Sequence, residues 1–550
     1  MASRRYTRRN LIRTGSVAAL SMGAAWQFAC GRSTPAGSSS STSDGGKGGR
    51  GGTLRVAMTA SNLPIPNIPV TEGGEGGRFV GRQVYATLLY EDVSTSQWPQ
   101  IGPGLAESWE LSPDKLTWTF KLRKGLTFHD ETPFNADAVV FQWNRCTNKD
   151  FEFYDGLQGP LNFSYLRNIK NVTSVDDGTI NIETKSPYAF LPFDLIQWLL
   201  PSPTAVKKYG NKDYAQYASG LGPFKISKYV DGQVMELVPF DKFYRGRPKL
   251  DKLILRPMPE PATRLASLQA GDVDWAEAPP PDSLKQLQAG GFQIITGPYP
   301  HVNTYFLNLL EPPFNDVRAR QAVNYAIDRK GTIDLINGVA IGASQLVPKG
   351  HPWYDPTWEG YSYDPAKAKQ LLAEAGIKPG YKVKMLYPTG GSGNMFPGPM
   401  NEKMQQDFKA VGLDLELVPT EWEAIRALRT KTFSTPELKG YQIIHNSWNT
   451  NYPTSSLLPF LTAGIPPAGS GNAGHYSNPV VDDLWSKASQ TFDPTEQTAL
   501  LRQATSQIMK DAACLNTVHD LGLRVFNPKV QGFVQPQSWS ADLTQVWMKS

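Results

Sequence analysis

Six histidines, fifty Asp and Glu residues and three cysteines are the groups through which this chain could do chemistry. The histidines stand far apart, at positions 129, 301, 351, 445, 475 and 519, with no His-Glu-x-x-His motif among them. No paired-cysteine motif is present either, so neither a structural zinc site nor a zinc hydrolase is indicated, and no local His cluster supports nickel. Gly390-Gly-Ser-Gly-Asn394 approaches a nucleophile elbow but ends in Asn where the motif needs Gly. Gly45-Gly-Lys-Gly lacks the Ser or Thr that a phosphate loop places after its lysine, and it lies in a Ser/Gly-rich run. His129 next to Asp130 reads as a structural hydrogen-bonding pair. A glycosidase-type acid pair could hide among the carboxylates, but nothing in one sequence singles it out. No catalytic residue, resident metal or cofactor is therefore expected. Cys30, Cys146 and Cys514 are too few for a disulfide scaffold. Cys146 and Cys514 each follow an apolar helical pattern and read as separately buried thiols, with a disulfide as the alternative in an exported protein.

The charges divide unevenly along the 550 residues. Lys and Arg number 55 against 50 acids, and Arg4, Arg5, Arg8, Arg9 and Arg13 supply the whole excess within an acid-free leader. The rest of the chain is neutral, so nucleic-acid binding is not expected. Thr7-Arg-Arg-Asn-Leu-Ile-Arg13 resembles the twin-arginine export motif, and a short, mildly apolar stretch runs from Gly15 to Ala29. Cys30 closes that stretch, in a layout that resembles a bacterial lipoprotein whose first mature cysteine carries the lipid. Gln27 stands where that pattern has an aliphatic residue, so cleavage after Gly23-Ala-Ala25 is the alternative. Residues 31–51 form a Ser/Gly-rich tether that spans about 25 Å as a flexible coil. Residues 1–30 are thus read as signal and the chain as exported, periplasmic or at the cell surface, held to the membrane through Cys30.

The elements that must position any site are a mixture of strands and helices. Leu116–Leu122 alternates apolar and polar residues, and with Ala106–Leu111 it flanks the turn Ser112-Pro-Asp-Lys115. Pro113 presets φ and Asp114 can bond its own backbone. Asn315 is read as the cap of a helix carrying Ala319, Ala322, Val323, Ala326 and Ile327 on one face. Asp364-Pro365 and Asp493-Pro494 open two more, the first stopped by Gly376. Trp109, Trp118 and Phe128 read as core. About 500 residues with 40% apolar content call for two or more cores.

One stretch is specific. Ala106-Glu-Ser-Trp109, Trp118-Thr-Phe-Lys-Leu-Arg-Lys-Gly125, Phe128-His-Asp130 and Pro133-Phe134 follow in order. Gly220-Leu-Gly-Pro-Phe224, Leu268-Gln-Ala-Gly-Asp-Val-Asp274, Pro312-Pro-Phe-Asn-Asp-Val-Arg318 and Ala326-Ile-Asp328 continue the series. The pattern resembles the family 5 extracytoplasmic solute-binding proteins, the oligopeptide, dipeptide and nickel binders of ABC importers, over nearly everything after residue 52. The resemblance implies a two-lobed α/β periplasmic-binding-protein fold of the large type. It implies lobe I at 52–92, 216–297 and 521–550, an inserted subdomain of that lobe at 93–215, and lobe II at 298–520. It also implies ligand capture by lobe closure without covalent chemistry, with a permease and an ATPase as partners of a monomer.

By the same resemblance, ligand contacts fall on Thr71-Glu72-Gly73, Tyr299 to Tyr305, Trp422, Arg429 and His445-Asn-Ser-Trp448-Asn449-Thr-Asn451. Peptide binders of the family carry Asp three positions after the tryptophan, where it neutralises the ligand's ammonium group. This chain has Asn451, so Glu72, Glu421 or Glu423 is the candidate substitute. Amides beside Trp448, with Trp422 available, also suit an oligosaccharide, since rings stack on indoles and hydroxyls pair with amides. A peptide or similar polar solute is the leading expectation. An oligosaccharide binder is the alternative within the family, and a secreted hydrolase or a sensor module without a permease is the alternative outside it.

Overall fold

The computed structural model describes residues 49–67, 73–158, 162, 165–298, 301–428, 431–466 and 471–550. The leader, Cys30, most of the tether, Thr71, Glu72, Tyr299 and Arg429 lie outside the described residues. No described helix is long and apolar enough to cross a membrane. The tether's last residue already belongs to the folded body: Gly51 donates to the Lys249 carbonyl at 2.8 Å and accepts from the Met548 amide at 3.0 Å.

Thr53–Met58 is the central strand of a seven-stranded sheet. It pairs in parallel with Lys252–Pro257 on one side and with Trp275–Glu277 on the other. Parallel neighbours require long crossovers, and here the first crossover contains most of the chain's first half. Asp274 locks that register. Its carboxylate accepts from the Arg55 amide at 3.0 Å and takes both arms of the Arg55 guanidinium at 2.8 Å. The helix Pro261–Ala270 delivers Asp274, and it ends on Gly271 at φ 77°. The Leu268–Asp274 motif is therefore a clasp for the first strand.

Gly220-Leu-Gly-Pro-Phe224 closes on the helix Arg82–Val84. A Cβ at Gly220 would lie 2.2 Å from the Val84 carbonyl, and one at Gly222 would lie 2.4 Å from the Gln83 carbonyl. Glycine is required there by contact, not by dihedral angle. His129 fixes the same loop. Its Nδ1 accepts from the Gly220 amide at 3.4 Å, and its Nε2 lies 3.0 Å from the Gly222 carbonyl. The structural reading of His129 thus has a specific partner.

The hairpin Ala106–Leu111 and Thr117–Leu122 begins a four-stranded sheet with Ile169–Asp176 and Thr179–Thr184. Trp118, Phe120 and Leu122 point into its core, as the alternation predicts. Asp114 accepts from the Leu116 amide at 3.1 Å. This sheet and its helices pack on a distant part of the chain: Trp118 meets Phe492 at 6.2 Å, Phe190 meets Trp485 at 5.9 Å, and the Tyr188 and Thr454 hydroxyls lie 3.0 Å apart.

A six-stranded sheet forms the second large body, ordered Ala340–Gly342, Cys514–Asp520, His301–Leu307, Ile443–Asn449, Tyr381–Pro388 and Leu413–Thr420. Its helices start where expected with one correction. Asp316, not Asn315, caps Val317–Ala326, accepting from the Arg318 amide at 2.8 Å. Asp364 and Asp493 cap their helices as read, each with proline behind it. Cys146 and Cys514 are free, buried thiols.

The chain passes between the two large sheets through neighbouring strands. Gln293–Ile295 leads to His301–Leu307, and Cys514–Asp520 returns to Arg524–Phe526. The members of each pair are adjacent in their own sheet. Two short adjacent crossings make a hinge-like connection. An apolar patch beside them joins Ala57 and Ala276 of the first body to Phe396 and Met400 of the second.

Five histidines are buried and held neutral. Burial drives His301 well below its ordinary value, and His129 to about 4. The same cause drives His351, His445 and His519 to about 3. Below pH 6.5 the unfolded chain takes up protons at these sites and the folded chain does not, so their contribution is present above 6.5 and is lost as pH falls. Three buried carboxyls act in the opposite sense: burial raises Asp194 to about 8, Glu75 to about 7, and Asp407 above its ordinary value. Histidines outnumber them, and each uncompensated group is worth up to about 1.4 kcal/mol per pH unit. The melting temperature is expected to fall steadily from pH 6.5 to 4.5 in scanning calorimetry; a flat profile there would contradict the neutral buried histidines.

Candidate functional site

The carboxyl ends of the parallel strands Thr53–Met58 and Trp275–Glu277 open on the same edge of the first sheet, the edge where open α/β sheets bind ligands. Just beyond the first strand, the amides of Thr59 and Ala60 donate to the two oxygens of Glu75 at 3.0 and 2.9 Å. Glu75 lies in the short helical turn Gly73–Gly76 and is 1% exposed. Burial, then the nearby Glu277, push its pKa up to about 7.

Glu277 ends the second of those strands. Its Oε1 accepts from Trp275 Nε1 and Arg524 Nε, both at 2.9 Å, and lies 3.0 Å from Arg78 Nη1. Burial would raise this carboxyl, but Arg78 and Arg524 outweigh it and hold the pKa below the ordinary value. Arg524 faces Glu277 directly across an antiparallel pair. Arg264, from the helix Pro261–Ala270, spends its guanidinium on four backbone carbonyls, those of Met258, Pro259, Glu277 and Ala278. Burial lowers it to about 10.

The opposite wall comes from the six-stranded body. Its main piece is Thr389–Pro399, the stretch that holds Gly390-Gly-Ser-Gly-Asn394. The run is no nucleophile elbow; it is threaded between aromatic rings. A Cβ at Gly391 would lie 2.5 Å from Trp422, and one at Gly393 would lie 2.5 Å from Trp539 and 2.6 Å from His301. Both glycines also have positive φ, 91° and 77°. Ser392 Oγ accepts from the Glu75 amide at 3.1 Å, so one hydrogen bond joins the two bodies directly. Between the walls lies a cavity of about 510 Å³. That is within the range of roughly 300–1,000 Å³ usual for small-molecule sites.

The residues expected at the site divide. Gly73 lies behind the lining residue Ser392: a Cβ built on it would be 3.5 Å from Ser392 and 3.8 Å from Trp422 Nε1. Trp422 is 4% exposed and backs the glycine loop. Tyr305 and His445 do not line the cavity. They stack on each other at 4.2 Å within the second body, and His445 also pairs with Asn303 and Asn401. Trp448 is half-buried, donates to the Ser455 carbonyl at 3.1 Å and meets Phe306 edge-on. Asn449 accepts from the Asn451 amide at 2.7 Å. Glu421 caps its own helix by accepting from the Ala424 amide, and Glu423 pairs with Arg426. The buried acids that line the cavity are Glu75, Glu277 and Asp520 instead. No motif marks them, because strands far apart in the chain assemble the cluster. The tail residue Trp539 is equally silent in sequence. Its carbonyl accepts from Arg78 Nε at 2.8 Å, and its ring meets His301 at 4.5 Å.

Asn451 has a physical reason to be an amide. It is 4% exposed and donates through Nδ2 to Ser538 Oγ at 3.3 Å. Ser538 gives its one hydroxyl proton to Glu91 at 2.6 Å, and Glu91 pairs with Arg82 at 3.2 Å. A carboxylate at 451 would meet an oxygen with no proton left for it, close to a second carboxylate. Among the described residues, no three His, Cys, Asp or Glu side chains gather as a metal-binding group.

Comparison with known proteins places this arrangement. Residues 100–466 match the family model "Bacterial extracellular solute-binding proteins, family 5 Middle". Heme-binding protein A of Haemophilus influenzae is 31% identical over 474 residues, covering 82% of this chain and 85% of that one. Glutathione-binding protein GsiB of Pectobacterium atrosepticum is 29% identical, covering 80% and 85%. Among solved structures, the ABC transporter-associated periplasmic binding protein DppA of Helicobacter pylori, in complex with peptide STSA, superposes with a TM-score of 0.78 at 23% identity. That match covers 92% of this chain and 99% of DppA. The chain belongs to the family 5 extracellular solute-binding proteins. It has their two-lobed α/β fold and is the substrate-binding component of an ABC importer.

Replacing Asn451 with Asp is expected to destabilise the fold by about 1–3 kcal/mol, the cost of an unsatisfied buried polar group. The check is a lower melting temperature at pH 7 that recovers in the double variant Asn451→Asp, Glu91→Gln.

Proposed function

We propose that this chain captures a short peptide, or a zwitterionic solute of similar size, in the cavity between its two large sheets and presents the closed form to a membrane permease. The observation that carries this reading is the cavity itself: buried carboxylates on one wall, a glycine-rich backbone on the other, and a hydrogen bond from Glu75 to Ser392 across the gap. The glycine wall supports it, since glycines lining a cavity let the backbone of a peptide ligand approach closely. Dipeptide and glutathione binders among the relatives support it as well. The sugar-stacking alternative relied on Trp448 and its neighbouring amides, which are engaged within the protein. Closure would follow the two crossings, with lobe I at 52–92, 216–297 and 521–550, the inserted subdomain at 93–215, and lobe II at 298–520. Gly73 and Trp422 are the contacts carried over from the sequence. The chain works as a monomer, without covalent chemistry.

The export leader and Cys30 complete the reading as a lipid-anchored protein outside the cytoplasm, tethered near its permease and ATPase. Replacing Cys30 with Ala is expected to abolish incorporation of labelled palmitate and release the protein from the membrane fraction. Continued labelling would place the lipid elsewhere.

A ligand that binds only the folded form raises stability by RT ln(1 + [L]/Kd), about 2.7 kcal/mol at a hundredfold excess. Thermal shift with short-peptide and oligosaccharide panels is expected to respond to peptides. A response to oligosaccharides alone would overturn the peptide reading, and turnover of either panel would reinstate a hydrolase.

A further inference from the structure

The cavity's charge is unbalanced, and its guanidiniums are already occupied. Arg264 is tied to four backbone carbonyls, while Arg78 and Arg524 are tied to Glu277. Arg264 presents no open fork to a ligand carboxylate, and Arg78 Nη1 is directed at Glu277, 3.0 Å away. The lining acids outnumber the lining arginines by two, no lysine lines the cavity, and Glu260 and Asp282 stand exposed at the mouth. Such a site draws in cations.

Glu277 adds a separate observation. All three of its close donors converge on Oε1. No described residue donates a hydrogen bond to Oε2, although the residue is only 8% exposed and lines the cavity. An oxygen of this carboxylate that no protein group donates to can accept from a ligand in the cavity. Glu75 lies close enough for Glu277 to raise its pKa, and its backbone donors leave lone pairs on both oxygens.

We propose that Glu75 and Glu277 together hold the ligand's ammonium group, so that this protein neutralises the ligand from the seven-stranded body rather than from position 451. The inference rests on the peptide reading above. An ammonium between them would give Oε2 of Glu277 its missing donor and offset the repulsion between the two carboxylates. Glu421 and Glu423 take no part, since both are engaged on the helix Trp422–Leu428.

The test uses isothermal titration calorimetry with short peptides that bind the wild type, each compared with its N-acetylated form. The wild type is expected to prefer the free ammonium by about 10- to 100-fold, the range of a charge-assisted hydrogen bond. Glu75→Gln is expected to reduce that preference while keeping the wild-type circular dichroism. An amide nitrogen cannot accept, so Glu75→Gln keeps only one of the hydrogen bonds from Thr59 and Ala60 and is expected to melt at a lower temperature while remaining folded; the comparison of free and acetylated peptides in the wild type does not depend on that cost. Equal affinity for free and acetylated peptides in the wild type, or a full preference retained in Glu75→Gln, overturns the ammonium site and leaves the peptide reading standing. If no peptide binds at all, the peptide reading falls and this inference falls with it.

A second measurement needs no variant. Binding at pH 7 in buffers of different ionisation enthalpy should release a fraction of a proton per free-ammonium ligand, and none for the acetylated form. The groups facing Glu75 do not supply it. Arg78, Arg264 and Arg524 are permanent cations, Glu277 is held ionised, and His301 beside Asp520 is held neutral. Zero release with a free-ammonium peptide overturns the site.

Discussion

A single buried oxygen, Oε1 of Glu277, organises this molecule. It gathers Trp275 from its own strand, Arg524 from the tail's return and Arg78 from the helix after the first strand. A buried carboxylate needs such partners, and a buried guanidinium needs the carboxylate, so neither side is stable without the other. The consequence is topological. Segments hundreds of residues apart must meet at the carboxyl edge of one sheet, and the cavity forms where they meet. The same geometry leaves the second oxygen of Glu277 without a donor among the described residues. Structure and function are thus set by one residue: one oxygen holds the fold and the other is available to a ligand.

The second constraint is how the two large sheets are joined beside and across the cavity. Two neighbouring crossings, an apolar patch from Ala57 to Phe396, and the contact of Glu75 with Ser392 link the large sheets. The first two lie beside the hinge and can persist through a rotation. The third crosses the cavity and has to break when it opens. Ser392 is therefore more than a lining residue. It sits between two glycines whose Cβ positions are filled by Trp422 and Trp539, so its loop has little freedom to yield. A stiff loop reports the presence or absence of a ligand to the rest of its lobe more faithfully than a soft one, which is what a capture protein that signals closure to a permease requires.

Much of the frame was legible before any coordinates. Local chemistry produced it: Pro113 and Asp114 make the hairpin turn, Asp364 and Asp493 cap helices through their own carboxylates, and alternation buries Trp118, Phe120 and Leu122. Asn315 and Asp316 show the limit of such reading. Both residue types cap helices, and which one does so depends on where the chain turns. The family motifs were legible as a pattern, though their reasons were not. The Gly220–Phe224 loop and the Leu268–Asp274 clasp act through contacts with strands far away in sequence. The site was the least legible part. Glu75 stands among glycines, Glu277 ends a three-residue strand, and Trp539 lies in an irregular tail; none carries a local signal. Position 451 could be read as unusual, but its reason, the hydroxyl of Ser538 already committed to Glu91, exists only in three dimensions.

That commitment leaves no place for a carboxylate at position 451. A carboxylate at 451 would be adjacent to Glu91, which Arg82 already pairs, and Ser538 has a single proton to give. The local network therefore selects an amide there. An ammonium ligand still has to be neutralised somewhere in a closed, low-dielectric cavity. The first lobe can do this without a new buried charge, because Glu277 is already ionised by its arginines and Glu75 is already seated on two backbone amides. Placing the acceptor on that wall changes the order of events. Glu75 carries the cross-cavity hydrogen bond through its own amide, so the residue that meets the ligand's charge is also the one that touches the opposite lobe. Ligand neutralisation and lobe contact then fall on adjacent atoms of one residue, and binding can be coupled to closure without a relay through the rest of the fold.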